Sequence, residues 1–285
     1  MTVNATPIKY LIVVVIVGSL LAFMHAVPGC NKSAGTRTKQ TKTPALPSEI
    51  TDALTTDNAD AFSEALSVAA LSDDDARRTL LTAIEQNKVW AVTYMLDSAI
   101  IDLDSWPSSS VSPHVSPLAE AMRHEDLKIA RILLVNGVGI ETEPSEISPM
   151  LAAVLSGNMT GIRLLGSHGA AVDAVTPNGR TLLGYAVMRL GTSGDVEPLK
   201  TLLDLGADPN YETAGGETAL FLAVRGRYKD AIRILIEHGA DPYHIANYKG
   251  RAKPRTPIDI ARDWRGEEAE RLLTILDPNH NRRHE

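Results

Sequence analysis

LLDLGADPN, residues Leu202 to Asn210, and LIEHGADP, residues Leu235 to Pro242, carry one arrangement at two places in the chain. Each opens on apolar residues that close an amphipathic helix. Each then reaches a glycine, Gly206 or Gly239, where the chain must turn left-handed to leave the helix, a conformation glycine adopts freely. The pairs Asp208-Pro209 and Asp241-Pro242 start an outward turn, because proline presets φ and aspartate bonds to its own backbone. Gly137 and Gly169 stand at the same place in two further segments.

Working outward, five segments align: SPLAEAMRHEDLKIARILLVNG from Ser116, SPMLAAVLSGNMTGIRLLGSHG from Ser148, TLLGYAVMRLGTSGDVEPLKTLLDLG from Thr181, TALFLAVRGRYKDAIRILIEHG from Thr218 and TPIDIARDWRGEEAERLLTIL from Thr256. A sixth, from Arg78, fits more loosely. The starts lie 38, 32, 33, 37 and 38 residues apart, the period of a solenoid. Ser or Thr at the start predicts an N-cap, and Pro117, Pro149 and Pro257 occupy the first helical position, where no amide proton is needed. Five residues on stands an alanine in every segment: Ala83, Ala121, Ala153, Ala186, Ala223 and Ala261. A side chain this small lets neighbouring repeats approach closely. Helices of about ten residues do not persist alone in water, so the repeats must stabilise one another.

The pattern resembles the ankyrin repeat over Arg78 to Leu276, and LLDLGADPN carries that resemblance best. It implies an all-α solenoid of about six helix-turn-helix repeats with projecting hairpin loops, and a protein that binds a protein partner along a concave face. The segment Ser48 to Ser72 reads as a degenerate first repeat, one capping helix carrying Phe62, Ala65, Leu66 and Ala69. The divisions expected are a leader over 1–30, a tether over 31–47, a repeat domain over 48–276 and a tail over 277–285.

Composition agrees with a helical, non-catalytic chain. Aromatic residues make up only 5% of it, and the net charge of −7 offers no diffuse positive field for nucleic acid. Cys30 is the single cysteine, which excludes an intrachain disulfide and leaves the body without a thiol nucleophile. No catalytic or phosphate-binding motif occurs, so no enzyme activity, cofactor or small-molecule substrate is expected. His168 and His238 precede terminating glycines and read as structural. His280 and His284 have a metal-compatible spacing but no third ligand nearby, so no metal is expected. Gly191 to Gly194, GTSG, reads as an elongated turn within one repeat.

From Tyr10 to Val27 runs an apolar stretch of 18 residues, preceded by Lys9 and followed by Pro28, Gly29 and Cys30, the order of a secretory signal. Its end resembles the lipobox of bacterial lipoproteins, which implies lipidation of Cys30 and a periplasmic body, although Pro28 departs from that pattern. An uncleaved helix is the other reading. Lys32, Arg37, Lys39 and Lys42 would then favour a cytoplasmic body. A membrane-tethered adaptor or inhibitor, of the immunity type, is the function expected; a support factor for an envelope complex is the second.

On the resemblance, partner contacts fall at the ends of the first helices and just before each repeat start. These positions include Arg123, His124, Met188, Arg189, Arg225 and Trp264, with Arg180 and Arg255 before two starts. The arginines predict a basic strip for an acidic partner surface. Two long connectors add Trp106, Tyr243 and Tyr248 as exposed aromatic candidates.

Overall fold

The computed structural model describes residues 46–69, 71–101, 103, 106, 116–141, 147–176, 178–213, 215–245 and 255–277. The leader, Cys30, Tyr248, His280, His284 and the tail beyond Asp277 lie outside the described residues. Leu46–Glu285 forms one compact unit. Its helices come in pairs: α1 (Ser48–Thr55) and α2 (Ala59–Val68), α3 (Asp73–Glu85) and α4 (Val89–Asp97), α5 (Pro117–Ala121) and α6 (Lys128–Val135), α7 (Pro149–Ser156) and α8 (Met159–Ser167), α9 (Leu182–Ser193) and α10 (Glu197–Asp204), α11 (Ala219–Gly226) and α12 (Lys229–Glu237), α13 (Pro257–Arg262) and α14 (Glu267–Leu276). No β-strand occurs among the described residues.

The caps form where the sequence places them. The hydroxyls of Ser116, Ser148, Thr181, Thr218 and Thr256 accept the backbone N–H three residues on, from Ala119, Leu151, Gly184, Phe221 and Asp259. Each satisfies an amide that the helix start would otherwise leave unpaired. Asp259 reciprocates toward Thr256 and completes a capping box.

First helices pack in sequence, α3 on α5, α5 on α7, α7 on α9, α9 on α11 and α11 on α13. Second helices make a further row, with α2 on α4, α4 on α6, α8 on α10 and α12 on α14. All six aligned alanines are fully buried or nearly so in the first row. The core is continuous from Ile50 to Leu276, because each pair exposes an apolar face that only its neighbours cover.

Three local expectations change. Arg78 does not open its helix: α3 begins at Asp73, capped by Ser72, since three aspartates there suit a helix N-terminus, and Arg78 pairs with Asp75 inside it. Gly191 to Ser193 stay helical, and only Gly194 turns left-handed, at φ +69°. The hydroxyls of Thr192 and Ser193 donate to the Arg189 carbonyl and satisfy the lengthened helix end. The N-terminal cap is a pair of helices, with α1 added to the expected one. Phe62 of α2 lies edge-on to Trp90 at 5.2 Å, and the Asp57 carboxylate between the two helices accepts from Trp90 Nε1 at 2.6 Å.

Candidate functional site

The projecting loops are tied from repeat to repeat. Four residues beyond their terminating glycines stand Glu141, Asp173 and Asn210, and each side chain accepts a backbone N–H of the next loop. Glu141 takes Ala171 at 2.9 Å, Asp173 takes Asp208 at 2.9 Å and Asn210 takes Asp241 at 2.7 Å. Asn210 also donates to the Gly239 carbonyl. Between first and second helices, buried Asn158 caps α8 through Gly161 and donates to the carbonyls of Met122 and His124 in the preceding repeat. The recurring acceptor at one offset was the available sequence signal for this ladder. His168 and His238 place Nδ1 2.9 and 2.7 Å from the carbonyls of Leu164 and Ile234, closing their own helices as their sequence position suggested.

The helix-end positions and the residues before each start come together in pairs eight residues apart. Arg180 reaches Met188 Sδ at 3.4 Å, Arg225 donates to Glu217 at 2.6 Å and Arg255 donates to Asp263 at 2.6 Å. Arg123 pairs with Glu120 at 3.0 Å. Arg189 lies over Gly157, beside the Ser156 carbonyl and 3.7 Å from Asp195, with its side chain only 18% exposed. The strip of arginines therefore carries its own carboxylates. Arg225, 48% exposed, and Arg255 are the most accessible of these ion-paired arginines.

His124 is buried, so its ring is not presented to a partner. Burial pushes that ring below its ordinary value of 6.5, with Arg123 acting in the same direction and Glu120, Glu85 and the Ile84 backbone opposing. Trp106 packs half-buried against the core rather than standing free. Trp264 is also half-buried, with the Arg227 guanidinium 5.3 Å from its ring centroid.

Exposed apolar groups occur instead in the three successive loops that follow α8, α10 and α12. Val175, Tyr211, Tyr243 and Ile245 are all exposed. Beside them the His244 ring in one loop sits 2.8 Å from Glu212 in the loop before it. Only Tyr243 among these four was singled out by sequence; the others have no feature but their offset from a glycine. Among the described residues no group of His, Cys, Asp or Glu could hold a metal ion. The arrangement presents a fixed surface of mixed charge and exposed aromatic groups, suited to binding.

Residues 118–213, 150–246 and 191–283 each match the family model described as ankyrin repeats (3 copies). An ankyrin repeat-containing protein of Treponema pallidum is 32% identical over 41% of this chain and 39% of its own length. An L-asparaginase of Dirofilaria immitis is 34% identical over 41% of this chain and 20% of its own. The chain thus matches well under half the length of these curated relatives. Among solved structures, the human ASB11 domain matches with a TM-score of 0.61 at 20% identity, covering 79% of this chain and 96% of that one. The Bcl-3 domain matches with a TM-score of 0.63 at 20% identity, over 80% and 97%. At that identity the likeness concerns the fold.

Proposed function

The chain belongs to the ankyrin-repeat family, and from that premise we propose that it is a non-catalytic binding protein that holds one protein partner across its loop tips and first-helix ends. The observation that carries this reading is the exposure of Val175, Tyr211, Tyr243 and Ile245 on loops tied from repeat to repeat by hydrogen bonds. Loops already tied in place lose little entropy on binding, and Tyr is enriched where interfaces concentrate their energy. Arg225 ends the first helix that follows one of these loops, and Arg255 stands just before the next repeat start. An acidic partner residue gains from them only by displacing Glu217 or Asp263, so these pairs set specificity more than affinity.

The apolar leader and Cys30 support a tether to a membrane, with the body acting there as an adaptor or inhibitor of an envelope protein. Among the described residues no helix is long and apolar enough to cross a membrane. Affinity capture from membranes with the leader intact identifies the partner, and a Tyr211→Ala, Tyr243→Ala, Arg225→Glu variant is then compared with the parent. Affinity should fall by at least about tenfold, the effect of losing roughly 1.4 kcal/mol. Unchanged affinity removes this face from the reading. Cys30→Ser tests the tether: release from membranes supports lipidation, and unchanged fractionation supports an uncleaved helix.

A further inference from the structure

Beyond that surface, we propose that the outer face of the N-terminal helix pair docks an amphipathic helix of a partner protein, one whose apolar stripe is flanked by lysine or arginine. A groove of about 650 Å³ lies along α1 and α2, lined by Ile50, Ala53, Ala61, Ala65, Val68 and Ala69. Terminal repeats of a solenoid ordinarily turn a polar face to water. Here Val68 is 80% exposed, while Leu66 on the same helix is buried toward the stack.

The residue types suit a helix. Ala61, Ala65 and Val68 recur at the spacing of one helical stripe, and alanine lets helix axes approach to about 8–10 Å. The stack already uses alanine this way at Ala121, Ala153 and Ala186, each buried where first helices meet. Among the described residues, the groove is therefore an interior type of surface with no further helix packed on it.

Charge selects the occupant. Glu49, Asp52 and Glu64 stand on the rim, and among the described residues no lining residue is basic. Between residues 46 and 72 the chain has five acidic residues and neither lysine nor arginine. A second copy presenting the same face would meet like charge, and anionic lipid headgroups would be repelled. A helix with basic flanks satisfies the rim while its apolar stripe covers the alanines.

The test uses the full-length chain and a fluorescent helical peptide with leucine at i, i+4 and i+7 and lysine on both flanks. A control peptide has glutamate for lysine. Fluorescence anisotropy should show binding of the lysine peptide alone, weakened by about tenfold or more in Ala65→Arg and, through charge only, in exposed Glu64→Lys. Circular dichroism verifies that both variants keep the parent's helix content. Absence of binding by the lysine peptide, equal binding of both peptides, or indifference to Glu64→Lys overturns the proposal. So does self-association abolished by Ala65→Arg, which would assign the face to a second copy.

Discussion

Ala99 stands at φ +50°, in the place where later repeats have Gly137, Gly169, Gly206 and Gly239 at φ between +79° and +92°. A left-handed alanine costs about 1 to 2 kcal/mol, whereas glycine loses about 0.4 to 1 kcal/mol more unfolded-chain entropy. The first term is larger, so Ala99→Gly should stabilise the protein by about 0.5 to 1 kcal/mol in urea unfolding. His124 gives a second residue-scale expectation. Burial holds its ring neutral, so as pH falls below 6.5 the unfolded chain takes up the proton first and stability declines. Full stability lies above that value. His124→Gln should flatten this limb between pH 7 and 5, and an unchanged slope would assign it to other groups. The glycine role was legible in the sequence, since φ is a property of one residue. The burial of His124 was not, because it depends on groups of other repeats, among them Ile84 and Glu85 of α3 and Asn158 before α8.

At the scale of the element, caps and alanines were legible because they depend on positions within one or two helical turns. The ties between repeats were not, since their partners lie about thirty residues away and only the folded stack brings them together. Asn158 shows the difference. As the residue before α8 it reads as an ordinary N-cap, yet its amide group also binds two carbonyls of the preceding repeat. Asn158→Ala strands those buried groups and should cost on the order of 2 to 3 kcal/mol. Asp173→Ala removes an exposed tie and should cost under about 1 kcal/mol, chiefly raising amide exchange at Asp208. Helix α1 escaped notice for a related reason: SEITDALT is too short to read as a helix until α2 is seen packed against it.

For the whole molecule, one continuous core from Ile50 to Leu276 couples the repeats. Single-tryptophan variants retaining Trp90 or Trp264 should therefore report coincident unfolding midpoints, although the two residues lie in pairs far apart in the chain. Ala153→Leu at the centre should lower both midpoints together, costing about 1 to 3 kcal/mol by overpacking. Separated midpoints would show that the stack unfolds in parts. The repeat period, the five Ser- or Thr-capped helix starts, the left-handed glycine exits and the buried alanines were determined by the sequence alone, because each follows from local backbone geometry repeated at a fixed interval. Which groups remain available to a partner was decided only by the tertiary structure. Five arginines read as a basic strip until folding set Arg123, Arg189, Arg225 and Arg255 beside their own carboxylates, and lifted Val175, Tyr211 and Ile245 into view. Charge and exposure are properties of neighbours, and in a solenoid many of the neighbours belong to another repeat.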